Sequence, residues 1–111
     1  MPDAADLSLL QGTLDVLVLK TLAWGPRHGY GVARWIAETT GDELRIEEGA
    51  LYTALHRMER RGWVESEWGL SDTGRRARFY QLTSAGRQQL KEQTQRWTRY
   101  ASAVARVLQT A

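Results

Sequence analysis

The sequence predicts a mainly α chain carrying a β-hairpin and a long closing helix. Three observations lead there. Apolar side chains recur at helical spacing in three successive segments, each stopped by glycine or proline. Two alternating stretches then flank a loop of turn-formers, which is the pattern of a hairpin. In the final segment Leu90, Thr94, Trp97, Ala101, Val104 and Leu108 step by fours and threes, the ~3.5-residue seam of a coiled-coil-like contact.

Each element has its own justification. Residues 7–23 form the first helix, with Leu7, Leu10, Leu14 and Leu17 on one stripe and Leu9, Val16, Leu19 and Ala23 on another. A helix apolar on two sides must be covered on two sides. A chain this short has little surface to spare for that, which points to a partner chain. Residues 24–29 read as a turn. Residues 30–40 form the second helix, with Val32, Trp35 and Ile36 apolar and Gly41 as its C-cap. Residues 43–46 read as a short extended piece. The third helix spans residues 48–61, with Glu47 and Glu48 suited to its N-terminus, Arg60 and Arg61 to its C-terminus, and Gly62 ending it. Leu51, Leu55 and Met58 make its inward stripe, while Tyr52, Thr53, His56 and Arg57 lie outward. Residues 63–68 alternate as a strand with Val64 and Trp68 on one side. Residues 69–74 are the loop, and residues 75–82 the second strand, with Tyr80 and Leu82 on one face. Thr83 caps the last helix, which runs to about residue 108.

Helix, helix, helix, hairpin, long helix is the order of a winged helix-turn-helix followed by a C-terminal dimerisation helix. On this reading residues 1–82 form a winged helix-turn-helix DNA-binding domain and residues 83–111 the dimerisation helix, joined in one compact unit. The dimer contacts expected are Leu9, Leu90, Trp97, Ala101, Val104 and Leu108.

Composition narrows the function. The 111 residues suit one domain. No cysteine is present, so there is neither a disulfide framework nor a cysteine-based metal site, as expected of a cytoplasmic protein. Residues 1–6 are polar and unlike a signal peptide. The longest apolar stretch, residues 14–23, is interrupted by Asp15, Lys20 and Thr21 and is too short to span a membrane. His28 and His56 have no carboxylate or second histidine at ligand spacing, and no glycine-rich phosphate loop appears. The sequence therefore indicates no metal, no cofactor and no enzyme.

Charge is unevenly distributed. Residues 1–50 hold 4 basic and 8 acidic side chains, and residues 51–111 hold 11 basic and 5 acidic. Positive charge is thus grouped where a polyanion would meet it, although a solvated basic face gives the same count. The third helix exposes aromatic, hydroxyl and basic groups together, and a helix fits the major groove, where base edges differ. Arg57 suits a guanine edge or a phosphate; phosphate contacts position a protein and base contacts specify its site. In the hairpin, Arg75, Arg76 and Arg78 flank a flexible tip, where arginines grip phosphates or enter a narrow minor groove. Charged protection of an edge strand is the alternative. Two rivals remain open: a winged helix serving an acidic protein partner, and a small-molecule binder without a DNA role.

Several fragments recur together in one known family. They are Leu10-Gln11-Gly12-Thr13-Leu14, His28-Gly29-Tyr30-Gly31, Glu48-Gly49-Ala50-Leu51-Tyr52, Leu55-His56-Arg57-Met58-Glu59, Gly62-Trp63 and Leu82-Thr83-Ser84-Ala85-Gly86-Arg87. In that order, over residues 7–108, the chain resembles the PadR family of bacterial transcriptional regulators, in its short branch with a single C-terminal helix. The resemblance implies a dimer that represses by covering a palindrome in double-stranded DNA, with an inducer, where one exists, loosening the grip. It puts a phosphate contact on Tyr30, a reading-helix tyrosine on Tyr52 and wing arginines on Arg75 and Arg76. Thr53 departs from it, since many relatives carry proline there. The candidate DNA-binding set is Tyr30, Glu48, Gly49, Tyr52, Thr53, His56, Arg57, Arg75 and Arg76.

Multidrug-sensing members of that branch stack flat ligands between paired tryptophans in a pore between subunits. By resemblance Trp97 takes that tryptophan's place, with Thr13 and Val16 lining the same space. This makes a small planar aromatic ligand a candidate partner. Trp97 as plain dimer core is the competing reading.

Overall fold

The structure, a computed structural model, describes residues 11–111. Seven elements follow in order: α1 (Gln11–Leu22), β1 (Arg27–His28), α2 (Gly29–Thr39), α3 (Glu48–Arg60), β2 (Val64–Leu70), β3 (Arg76–Leu82) and α4 (Ser84–Leu108). The expected architecture is present, with the ends of α2, α3 and α4 and the C-terminal end of α1 within a residue or two of those read from the sequence; the expected start of the first helix at residue 7 lies outside the described residues. Leu7, Leu9 and Leu10 lie outside the described residues.

Two expectations need correction. The segment taken as a plain turn before α2 contains β1, whose Arg27 and His28 pair with Tyr80 and Phe79 of β3. The hairpin is therefore part of a three-stranded antiparallel sheet in the order β1-β3-β2. The short extended piece expected at residues 43–46 forms no strand, because no neighbouring strand lies there to complete its hydrogen bonds. Instead Thr40 shapes the α2–α3 connection: its Oγ1 donates to Ile36 O (2.8 Å) and accepts from Leu44 N (3.1 Å).

The core gathers one stripe from each element. Leu14, Val18, Leu19 and Leu22 of α1 meet Val32 and Ile36 of α2, Leu51, Ala54, Leu55 and Met58 of α3, and Val64, Tyr80 and Leu82 of the sheet. Each fully buried Leu or Val contributes on the order of 1.5–3 kcal/mol. Helix ends are closed by backbone as expected. At the end of α3, Trp63 N donates to Met58 O (2.9 Å) and Gly62 N to Glu59 O (3.0 Å), the pair of bonds that satisfies terminal carbonyls. Gly41 N and Asp42 N close α2 similarly on Glu38 O and Ala37 O.

The joint between hairpin and α4 is tight. Thr83 caps α4 by accepting from Gly86 N at 3.1 Å. The same hydroxyl donates to Gly62 O (2.6 Å), and Thr83 N donates to Trp63 O (3.0 Å). Gly86 packs straight onto that Trp63 carbonyl, where an added Cβ would sit 1.9 Å from the oxygen. Beyond this joint α4 rises for 25 residues, about 37 Å, and its later half stands clear of the core. Among the described residues no helix is long and apolar enough to cross a membrane.

Gly86→Ala should lower stability by about 2–3 kcal/mol, because backbone must move to admit the methyl group. Urea denaturation followed by circular dichroism checks this; an unchanged midpoint would refute the close approach.

Candidate nucleic-acid interface

The exposed face of α3 exists because its other face is spent on the core. With Leu51, Ala54, Leu55 and Met58 buried, helical geometry turns Glu48, Gly49, Thr53 and His56 to solvent, and all four are exposed. Tyr52 lies between the two faces. Its ring reaches the first turn of α2, where a Cβ on Gly29 would lie 2.6 Å from the tyrosine oxygen. Only glycine permits this approach, so the α2 start is seated against the middle of α3. Tyr30, the next residue, is 67% exposed and stands at the rim beside that contact.

The start of α2 is itself ordered by His28, which lies on β1. Its Nδ1 accepts from Gly31 N at 3.0 Å, an N-cap by a histidine. The ring also meets Phe79 of β3 edge-on at 5.4 Å between centroids. His28 is thus a structural cap that ties the helix to the sheet.

The wing is the outer end of β2 and β3 with their loop. Gly74 N donates to Ser71 O (2.9 Å) and Ser71 N to Arg75 O (2.8 Å), which closes a short hairpin loop. Arg75 and Arg76 are exposed beside it. A cleft of about 740 Å³ separates the wing from α2, with Arg27, Tyr30, Arg34, Arg75 and Arg76 on its walls. Arg27 and Arg34 were not singled out from the sequence. The signal was available for Arg34, which follows Tyr30 by four residues and therefore shares its helix face.

One orientation expected from the sequence differs in the structure. Helical spacing predicts Arg57 on the outward face of the third helix. The structure turns its guanidinium onto the Asp15 carboxylate of α1, with the two side chains 18% and 13% exposed. An isolated buried carboxylate is costly, and Arg57 lies one helical turn from Thr53 on the flank nearest α1, so the pair forms. Arg78 is also engaged: its Nε donates to Ser66 Oγ (2.8 Å), which donates to Glu59 Oε2 (2.6 Å). That network fastens the hairpin to the C-terminal half of α3. Beneath it Tyr80 is buried, and burial together with the nearby Glu59 charge pushes its phenol above the usual range, so it stays neutral.

The remaining candidates sit at the other end of the molecule. Thr13 and Trp97 are brought together directly, with Trp97 Nε1 donating to Thr13 Oγ1 at 2.9 Å. Val16, one turn along α1, is half-buried. Leu90 packs against the core, while Trp97, Val104 and Leu108 are exposed at 44%, 38% and 78%. Ala101 is half-buried.

A winged helix with an exposed α3 face, an ordered α2 start and a basic wing defines a class: the helix-turn-helix transcriptional regulators. The chain belongs to the transcriptional regulator PadR-like family, whose profile matches residues 18–92. Its members are transcriptional regulators rather than enzymes. The fold matches a PadR-like transcriptional regulator from Bacillus cereus (TM-score 0.79, 25% identity, 94% of this chain and 99% of that one). It also matches a PadR family transcriptional regulator from Eggerthella lenta (TM-score 0.77, 30% identity, 95% and 89%). In sequence it is 31% identical over 90 residues to an uncharacterised protein of Lysinibacillus sphaericus, covering 80% of this chain and 82% of the relative. It is 37% identical over 90 residues to an uncharacterised transposon protein of Streptomyces fradiae, of which the match spans 24%.

Asp15→Asn should cost about 2–3 kcal/mol, since the Arg57 guanidinium then lies mostly buried without its counter-charge. Exchanging both partners for apolar residues should cost less than the sum of the single changes. Chemical denaturation of the three variants checks this; additive losses would mean the pair carries no coupling.

Proposed function

We propose that this protein is a sequence-specific DNA-binding regulator, a repressor that covers a palindromic promoter operator as a homodimer in the cytoplasm. The observation that carries the reading is convergence at the start of α2: Tyr30 shares one cleft with Arg75 and Arg76 of the wing, and the neighbouring Gly29 seats Tyr52 of α3, the helix that exposes Glu48, Gly49, Thr53 and His56. Thr53 and His56 present groups suited to base edges, with Glu48 and Gly49 at the entry of the helix. Tyr52, half-buried, acts mainly by seating α2. Tyr30, Arg75 and Arg76 serve phosphates, which position the protein without reading sequence. Arg57, held by Asp15, leaves the direct contact set and supports α3 from behind.

The dimer reading rests on α4. Trp97, Tyr100, Val104, Val107 and Leu108 leave the later half of that helix with a row of exposed large apolar side chains. A monomer has no reason to keep such a row in water, and a second copy of the same seam buries it. A small planar aromatic effector fits the same region: the half-exposed Trp97 indole is held in orientation by Thr13, with Val16 nearby, ready to stack on a flat ligand.

Selection of duplexes from a random pool tests the main proposal. Recovery of an inverted repeat is expected, because operator symmetry mirrors a two-fold dimer. The Arg75→Ala, Arg76→Ala double variant should bind all duplexes more weakly and flatten the log–log salt slope by about 3.6, since the homodimer loses four phosphate contacts, two from each protomer. No enrichment, together with no salt-dependent binding to any duplex, would point instead to a module for an acidic protein partner.

The effector reading has its own test. A planar dye should quench tryptophan fluorescence in the parent and do so much less in Trp97→Ala. Equal quenching in both would leave Trp97 as dimer core only.

A further inference from the structure

The wing carries one tryptophan that the interface described above does not use. Trp68 lies on β2, in the part of the hairpin that overhangs the core, and is 55% exposed. Two guanidinium groups lie over its ring, Arg76 at 4.7 Å and Arg78 at 5.7 Å from the centroid. Register explains the arrangement. Trp68 pairs with Arg78 and Leu70 with Arg76, so the three side chains share one face of the hairpin and Arg76 sits diagonally across from the indole.

The two arginines differ in what else they hold. Arg78 is bound to Ser66 and lies 3.6 Å from the Glu59 carboxylate of α3. It therefore marks the position of the wing relative to α3. Arg76 has no carboxylate partner among the described residues, and only the indole restrains it. An exposed arginine otherwise samples many rotamers and loses that freedom when it binds phosphate. A guanidinium held over an indole is already restrained, and its N–H groups remain free to donate to a phosphate.

We propose that Trp68 is a positioning residue for DNA binding: it pre-orders the Arg76 guanidinium for a backbone phosphate and, through Arg78 and Glu59, sets that guanidinium at a fixed place relative to α3. The role rests on the DNA-binding reading given above. It acts through geometry and not through charge, which separates it from the arginines themselves. Loss of the indole lowers affinity while the number of phosphates neutralised, and so the salt slope, stays the same.

The test uses the full chain with Trp68→Leu, Trp68→Tyr, Arg76→Lys and the Trp68→Leu, Arg76→Lys double variant, each checked for folding by thermal melting. Leucine keeps an apolar strand residue but no π face; lysine keeps the charge but not the planar group. In the free parent, proton NMR should show the Arg76 side-chain methylene signals shifted upfield under the indole and restored in Trp68→Leu. Against a selected duplex, Trp68→Leu and Arg76→Lys should each bind about three- to tenfold more weakly at an unchanged salt slope. Trp68→Tyr should keep most of the affinity, and the double variant should be no weaker than the worse single one. Unshifted Arg76 signals in the parent, or parent-like affinity in Trp68→Leu, overturn the proposal. Additive losses overturn it as well, since they give Trp68 a contact of its own. If Trp68→Leu does not fold, Arg76→Lys and Trp68→Tyr decide: parent-like affinity in Arg76→Lys, or a loss in Trp68→Tyr as large as in Arg76→Lys, overturns it. A parent that binds no duplex at any salt overturns the DNA-binding reading and this role with it, whereas a parent that binds confines any failure to Trp68.

Discussion

The carbonyl oxygen of Trp63 is where the two halves of the molecule are joined. It receives the backbone N–H of Thr83, lies within reach of the Thr83 hydroxyl, and supports the first turn of α4 at a glycine too close for any side chain. Because three separate constraints meet at one atom, α4 leaves the sheet in one direction only. That direction brings Trp97 back to Thr13 on α1 and carries the apolar seam past the core into solvent. Slackness here would leave the sequence of α4 unchanged but would detach its seam from any fixed relation to the wing. A dimer built on that seam would then present two reading helices at no defined spacing, and spacing is what matches a two-fold protein to an operator.

Helix α1 links the two ends. Its buried stripe, Leu14, Val18, Leu19 and Leu22, packs within the core, so the helix has little freedom to rotate. From that fixed support Thr13 faces the tryptophan of α4 and Asp15 faces the arginine of α3. The aspartate looked from sequence like an interruption of an apolar helix. In the fold it is an anchor for α3, and the arginine that answers it is drawn off the outward face of that helix. The polar pair carries a desolvation cost that an apolar pair would avoid, but it joins two particular positions and so fixes the rotation of α3 about its own axis.

Much of this was legible in the sequence because the signals were local. Glycine at positions 41 and 62, threonine at 83, the inward stripe Leu51, Leu55 and Met58, and the alternation around Tyr80 each obey rules of a few residues' range, and each element follows. The pairs that cross the fold are not legible in periodicity. Asp15 and Arg57, 42 positions apart, carry no signal of each other, and Thr13 and Trp97, 84 apart, are brought together before the structure only by family resemblance. Periodicity shows that a residue leaves the core stripe, but not whether a partner waits for it on a neighbouring element. That is why Arg57 read as outward. The two-residue strand β1 was missed for the same reason: its hydrogen bonds come wholly from β3, and two residues carry no alternation to detect. Seating of Tyr52 over Gly29 likewise depends on how α2 and α3 cross.

These tertiary pairings also change what the charge count means. Residues 51–111 hold 11 basic side chains, which suggests a broad polycationic surface. Yet Arg57 is closed against Asp15, and Arg78 is tied to Ser66 beside Glu59. Further arginines, at positions 96, 99 and 106, lie on α4, the helix that bears the apolar seam. The basic groups left at the wing are few and close together. Binding through a few well-placed phosphates has a modest salt dependence, and it leaves a larger share of the discrimination to the face of α3. A protein that binds through diffuse charge meets every duplex almost equally well. On the proposed DNA-binding reading, arginines paired within the fold add less to nonspecific attraction and instead join α3 to α1 and the wing to α3, the elements whose relative placement base contacts would depend on.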